Sequence, residues 1–184
     1  MPMSSTSRYG LEPAPGGLVL LQDLVNTRPV PSYGVRDLLD GEADVVRWWR
    51  DSVGSWASRR GTEAPEPVAD AAGRRGLLRL RDRVDALLAG DRDALGEVRV
   101  SVRGLRAEPG GTGLAWLTGA LVLSAMEADD LGRLKTCRNR FCPCAFYDRS
   151  RNNSRVWHDV HTCGNAANLR ASRARRAAAA SPRS

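Results

Sequence analysis

Cys137-Arg138-Asn139-Arg140-Phe141-Cys142 and His158-Asp159-Val160-His161-Thr162-Cys163 are the two stretches that decide the fold of this chain. The first has the spacing C-x4-C and the second H-x4-C, and fifteen residues separate them. Structural zinc is usually held tetrahedrally by sulfur and imidazole nitrogen from two close-spaced ligand pairs. The sequence therefore predicts one zinc ion bound by Cys137, Cys142, His158 and Cys163. Four protein ligands leave no open coordination position, so the predicted ion is structural.

Cys144 and His161 compete for places in this ligand set. Cys144 follows Cys142 too closely for both to chelate one tetrahedral ion, and a single residue separates His161 from Cys163. His158 is preferred because H-x4-C mirrors C-x4-C, which leaves Cys144 as a spare, partly buried thiol. All four cysteines lie between 137 and 163, which favours metal in a reducing compartment; two local disulfides are the alternative.

Around the ion, we expect a knuckle, a hairpin and a helix. Cys137 and Cys142 are predicted to lie on the knuckle. Phe146-Tyr147 is predicted to be a short strand, and Arg155–His158 the strand that returns to the metal. A helix is predicted to start near Cys163 and run to about Arg176. The helix dipole favours a thiolate at its N-terminus, where Cys163 is expected.

Helical periodicity dominates the rest of the chain. Helices are predicted at about 18–25, 43–58, 68–89 and 113–127. Apolar positions in the second helix predict a buried stripe of Val45, Val46, Trp49, Val53 and Trp56. Period-two alternation at Val98, Val100 and Val102, before a Pro-Gly-Gly turn, predicts a small β-hairpin. The predicted fold is mainly α with a small β-hairpin (α+β). Its parts are a disordered tail (1–15), a helical domain (16–131), the zinc module (132–176) and a frayed tail (177–184).

Charge is unevenly distributed along the chain. Residues 132–176 hold 11 Arg or Lys and two Asp, a net charge of +9, whereas the whole chain carries +7. A compact basic module predicts binding to a polyanion; a basic surface kept for solubility is the alternative. Asn153, Asn165 and Asn168 are further polar candidates, although Asn165 can instead buttress the zinc turn. The predicted nucleic-acid-binding residues are Arg149, Arg151, Asn152, Arg155, Arg170, Arg173, Arg175 and Arg176.

These motifs resemble the bacterial CGNR zinc-finger family. The matching segments are Cys137…Cys142, Phe146–Asn152, Arg155-Val156-Trp157-His158 and Cys163-Gly164-Asn165-Ala166. His158 stands where the family commonly has cysteine, and Ala166 replaces the signature arginine, so any contact of that arginine is lost or passes to Arg170. The resemblance implies a helical N-terminal ABATE domain, which Leu18–Thr27 resembles in its opening helix and Asn-Thr pair.

The resemblance also implies a cytoplasmic transcription regulator that binds double-stranded DNA through its zinc module. RNA binding and a zinc-stabilised protein-interaction module are the alternatives. We found no arrangement of residues that predicts an enzyme. A small-molecule effector and a homodimer are further candidate partners, and no membrane association is predicted. Asn26, Thr27 and Arg28, with Trp48 or Trp49 nearby, are candidate ligand-binding residues; helix capping by Asn26 and burial of the tryptophans are the alternative.

Overall fold

The fold is described by a computed structural model of residues 4–30, 34–96, 100–103 and 106–180. The predicted class, mainly α with a small antiparallel hairpin, is confirmed. The helices are α1 (Leu18–Val25), α2 (Glu42–Trp48), α3 (Ser55–Arg60), α4 (Ala71–Leu88), α5 (Gly113–Met126) and α6 (Asn165–Ala180). The strands are β1 (Val100–Arg103), β2 (Arg106–Pro109), β3 (Leu134–Thr136) and β4 (Ala145–Tyr147).

The α1 helix begins and ends where the sequence predicts. It is followed by Asn26, and Pro29 prevents its continuation. Seven of its eight residues are buried, because other elements surround it on nearly every side. This burial makes α1 the central helix of the core.

The α2 and α3 helices form one helical run, joined by the π-helical turn Trp49–Gly54. The predicted stripe is wrong at Val46, which is 40% exposed, whereas Trp48 is buried. Val45, Trp48, Trp49 and Trp56 share the buried face at the three- and four-residue spacing of a helix. Val45, Trp49, Val53 and Trp56 are buried as predicted, so the prediction fails only at Val46 and misses Trp48.

The α4 and α5 helices complete the helical part. Asp70 caps α4, since its carboxylate accepts a hydrogen bond from the Gly73 amide at 2.7 Å. The α5 helix is apolar on almost all sides and packs against both α1 and α4. At the C-terminal end of α5, Met126 is 76% exposed.

The described residues include two antiparallel hairpins. In the first, Val100 pairs with Pro109 and Arg103 with Arg106, as the alternating valines predict; Val98 lies outside the described residues. In the second, Leu134–Thr136 pairs with Ala145–Tyr147. The predicted returning strand at Arg155–His158 is therefore wrong, because β3 occupies the edge of Phe146-Tyr147 that it was expected to fill.

Residues 4–15 differ from the disordered tail predicted for residues 1–15. Ser5–Tyr9 is a 3-10 helix, and Thr6 is fully buried. The Thr6 amide and hydroxyl donate to the carboxylate of Asp23 at 3.1 and 2.7 Å, and the Ser4 hydroxyl donates to the same oxygen. Polar residues in this segment therefore satisfy a buried carboxylate.

The helical part and the zinc module share a hydrophobic core. Leu134 and Ala145, from the second hairpin, are buried in the same cluster as residues of α1 and α5. The predicted boundary between residues 131 and 132 thus crosses a continuous core. At the C-terminus, α6 continues four residues past the predicted end at 176, through four alanines that strongly favour helix. Within the described ranges, no helix combines the length and apolarity needed to cross a bilayer.

Candidate metal centre

The four predicted zinc ligands come together in space. One ligand atom from each of Cys137, Cys142, His158 and Cys163 lies within 4.8 Å of all the others. The Nδ1 atom of His158 is 3.4 Å from the sulfur of Cys142 and 3.5 Å from that of Cys163. Tetrahedral zinc with ordinary bond lengths separates sulfur from nitrogen by about 3.6 Å. The donor set and its spacing therefore fit one structural zinc ion.

The second hairpin positions the first ligand pair. Register in this hairpin places Thr136 opposite Ala145, and the Cys137 amide extends the pairing by donating to the Cys144 carbonyl at 2.9 Å. Between them the chain turns tightly, since the Cys142 amide donates to the Asn139 carbonyl at 2.7 Å. This turn forms the predicted knuckle and brings the thiols of Cys137 and Cys142 to the same site.

The second ligand pair lies where an irregular segment enters α6. Arg155 donates from its guanidinium to the His158 carbonyl, which fixes the backbone at the histidine. Asp159 caps the following π-helical turn, Val160–Gly164, by accepting a hydrogen bond from the Thr162 amide at 2.6 Å. Cys163 is therefore in the first turn of the helical segment, as predicted, with its amide donating to the Asp159 carbonyl.

Burial and crowding make the thiol form of the cysteines favourable until a cation binds. Hydrogen bonding with Cys142, together with burial, raises the pKa of Cys137 to about 11. At Cys142 the bond with Cys137 lowers the pKa, but Cys144 and burial outweigh it and raise the value to about 12. Burial also raises the pKa of Cys163. Three thiolates this close need a divalent cation to compensate their charge, so zinc binding releases their protons.

Asn139 lies behind the ligands and was not predicted from the sequence. Its side chain is 3% exposed, and its Nδ2 donates to the sulfur of Cys163 at 3.2 Å. Its Oδ1 accepts from Arg170 at 2.7 Å and from the Phe141 amide at 3.3 Å. Asn139 therefore links a metal ligand to an arginine of α6. An asparagine within C-x4-C was the only signal available, and that residue type is common in turns.

The two residues left out of the ligand set have different surroundings. Cys144 is fully buried, not partly buried as predicted, and packs beside the ligand cysteines. His161 is exposed on the π-helical turn. Tyr9, Leu11 and Trp157 pack against the cysteine cluster, so the N-terminal segment covers part of the site. This cover explains why burial raises the pKa of Tyr9 to about 12, against a smaller opposing effect of Arg8.

Asp148 organises the loop between the hairpin and His158. Its carboxylate is fully buried and accepts hydrogen bonds from Lys135 at 2.9 Å and from the amides of Ser150 and Arg155 at 2.8 Å each. Burial alone raises the pKa of Asp148, but these bonds outweigh it and hold that pKa well below its ordinary range. Lys135 also donates to the carbonyls of Asn153 and Arg155. The side chains of Asp148 and Lys135 therefore provide the hydrogen-bond partners of the Arg155 backbone, which was predicted to pair as a strand.

The predicted nucleic-acid-binding residues form two groups. Three are engaged within the protein. Arg149 pairs with Glu12 at 2.9 Å, Arg155 bonds the His158 carbonyl, and Arg170 bonds Asn139. The others are exposed, and the helix α6 or the loop after β4 carries them: Arg151, Asn152, Arg173, Arg175 and Arg176.

The candidate ligand-binding residues Asn26, Thr27 and Arg28 have partners inside the protein. Asn26 and Thr27 are fully buried. The Thr27 hydroxyl donates to the Leu24 carbonyl at 2.7 Å, and Arg28 pairs with Asp82 and Asp85. A ligand at this position has to displace these contacts; the site stays a prediction.

A module held around one ion by three thiolates and one imidazole, with a knuckle and a helix, is a zinc finger. Residues 133–176 match the family model of the CGNR zinc finger. The resemblance seen in the sequence is thereby confirmed for this part of the chain, while the helical part lies outside the matched residues. Among curated proteins, none matches this chain.

Proposed function

We propose that this protein is a transcription regulator that binds double-stranded DNA through its zinc finger. The observation that carries the proposal is the α6 helix. It packs mainly against the turn that precedes it, so most of its surface faces solvent. It carries Arg170, Arg173, Arg175 and Arg176 and contains no acidic residue. A projecting helix of this charge suits the phosphate backbone of a duplex.

The zinc site is connected to this basic surface. Cys163 lies in the turn that starts the helix, and Asn139 connects its sulfur to Arg170. Arg170 lies one helical turn after Ala166, which stands where the CGNR signature has arginine. Arg170 is therefore a suitable replacement for that arginine. Loss of the ion removes the anchor of α6, and the arginines lose their fixed arrangement.

The test is a titration of zinc-loaded protein against a random-sequence duplex at increasing salt. Neutralisation of roughly five to eight phosphates gives a slope of about −4 to −7 in a plot of log affinity against log salt. Treatment with a chelator is expected to abolish binding. Arg173→Ala with Arg176→Ala should lower the slope, whereas Arg59→Ala, an exposed arginine of the helical part, should leave it unchanged. Binding that ignores salt or chelator contradicts the proposal.

The same surface suits RNA or an acidic protein, and the titration separates these alternatives. Competition with structured RNA that exceeds competition with duplex DNA favours an RNA-binding role. Protein that purifies free of nucleic acid and binds neither polymer favours an interaction module. A catalytic role is disfavoured because four protein ligands fill the zinc coordination shell.

We propose that the helical part is regulatory, as its resemblance to an ABATE domain implies. A cavity of about 620 Å³ lies between α4, α5 and the start of β3, with Leu88, Val122 and Leu134 among its lining residues. This volume is in the range of small-molecule sites. Because Leu134 precedes the first ligand cysteine by three residues, an effector bound there contacts the zinc hairpin directly. Thermal-shift screening of small apolar acids tests this role, and Val122→Trp, which fills the cavity, should abolish any shift.

A further inference from the structure

Phe141 is an exposed aromatic residue at the tip of the zinc knuckle. Its side chain is 49% exposed, whereas the chain's other phenylalanine, Phe146, is 1% exposed. The tryptophans Trp48, Trp49 and Trp56 are also buried. Leaving half of a phenylalanine in water forfeits a sizeable part of the roughly 1.5–3 kcal/mol that its burial supplies. Phe141 is therefore the one exposed side chain among the phenylalanine, tyrosine and tryptophan residues that the structure describes.

The knuckle holds Phe141 in a fixed place. The residue lies inside C-x4-C, directly before the ligand Cys142. Its amide donates to Asn139 Oδ1, and the Cys142 amide donates to the Asn139 carbonyl. Two zinc ligands and a buried asparagine thus fix the backbone on both sides of an exposed ring.

Two guanidinium groups flank the ring. The guanidinium carbon of Arg140 is 4.6 Å from the ring centroid, and that of Arg170 is 5.0 Å away. Arg170 is held by Asn139, so it joins the ring to the basic helix α6. Residues 133–147 contain four basic residues and no acidic one. A ring flanked by cations on a rigid tip complements a base step between phosphates in both charge and shape.

We propose that Phe141 is a wedge that inserts between adjacent base pairs of bound duplex DNA and bends it. This inference rests on the proposed DNA-binding function. An apolar side chain that enters a base step unstacks it and kinks the duplex, at a cost that extra contacts with the bent DNA offset. Arg140 and Arg170 then lie where they can reach the phosphates beside the opened step. Flexible pyrimidine–purine steps are the preferred sites, because they unstack most easily.

The experiment uses the full-length zinc-loaded protein and a 20-base-pair duplex with central TpA steps. Dyes at both ends report bending by energy transfer, and 2-aminopurine at a TpA step reports unstacking. Wild-type protein is expected to raise both signals. Phe141→Ala should abolish both while weakening binding by roughly tenfold, about the effect of one lost stacking contact. Phe141→Leu, which keeps an apolar wedge, should retain them, and Met126→Ala, an exposed apolar residue of α5, is the matched control.

The outcomes separate the wedge from the proposed function. Binding of the duplex by wild type without bending or unstacking overturns the wedge and leaves DNA binding intact. Signals that persist in Phe141→Ala also overturn it. Absence of duplex binding by wild type overturns both proposals. Stronger Phe141-dependent binding to single strands than to the duplex overturns insertion and assigns the ring to stacking on unpaired bases.

Discussion

The side-chain amide of Asn26 pairs with both backbone polar groups of Ala145. Its Oδ1 accepts from the Ala145 amide at 2.8 Å, and its Nδ2 donates to the Ala145 carbonyl at 3.0 Å. Both residues are fully buried. Asn26 ends α1 and Ala145 begins β4, so this pair joins the central helix to the zinc hairpin. The asparagine acts towards Ala145 as a neighbouring strand does, through one donor and one acceptor.

Asn26→Ala is expected to destabilise the whole protein by roughly 2–4 kcal/mol, because it removes the bond to the buried Ala145 amide and leaves the Ala145 carbonyl only the long bond from Gln22 at 3.4 Å. Asn26→Asp should be at least as damaging, since a carboxylate cannot donate to the carbonyl. Urea denaturation of zinc-loaded protein measures the loss. Asn168→Ala, at an exposed asparagine of α6, should change stability by less than about 0.5 kcal/mol. If Asn26→Ala releases zinc but leaves the helices folded, the stabilities of α1 and the zinc hairpin are not coupled through this pair.

The elements that could be predicted are those whose own residues determine them. The α1 helix carries its apolar face and its proline stop within twelve residues, 18–29. The ligand set was predictable because chelation requires particular residue types at short spacings. The burial of Trp48 in place of Val46 was not predictable, because both residues lie next to buried positions, Trp49 and Val45, and periodicity alone does not choose between them.

Contacts between distant residues could not be predicted. Asn26 and Ala145 are 119 positions apart, and no local pattern marks them as partners. The strand β3 has three residues, too few to show a period, so Arg155–His158 was a reasonable but wrong partner for Phe146-Tyr147. Residues 4–15 were predicted to be disordered because the partner of the Thr6 hydroxyl, Asp23, lies 17 positions further along the chain, where no local pattern points to it.

Cys163→Ser should abolish stoichiometric zinc binding, because a hydroxyl is a poor substitute for a thiolate ligand. The expected metal content falls from one ion per chain to well below one, and thermal stability falls to that of chelator-treated wild type. Cys144→Ala is the matched control, since this cysteine is equally buried beside the site but is not one of the four grouped ligands. Full zinc content in Cys163→Ser, or its loss in Cys144→Ala, shows that the assigned ligand set is wrong.

Asn139→Ala should weaken zinc binding by about 10–100-fold without removing a ligand. The substitution deletes the hydrogen bond to the Cys163 sulfur and releases Arg170 and the Phe141 amide. Competition with a chromophoric chelator measures the affinity. Asn152→Ala, at an exposed asparagine of the same module, provides the comparison. Equal zinc affinities for the two variants mean that the Asn139–Cys163 contact does not affect zinc binding.

Asp148→Asn should destabilise the zinc module by roughly 2–4 kcal/mol, because an amide NH₂ group replaces an acceptor facing Lys135 or the Arg155 amide.

Burial opposes ionisation of Asp148, but its hydrogen bonds prevail, so its pKa is below the ordinary value of 3.8. A lowered pKa contributes stability that is fully present above the unfolded-state pKa and is lost only as pH falls through the folded-state value. The difference in unfolding free energy between wild type and variant should therefore stay constant from about pH 5.5 to 8. Asp129→Asn, at an exposed acid, should show almost no difference at any of these pH values. A difference in unfolding free energy between wild type and Asp148→Asn that widens between pH 5.5 and 8 indicates a carboxyl group that titrates near neutrality. That result rules out the hydrogen bonding described for Asp148.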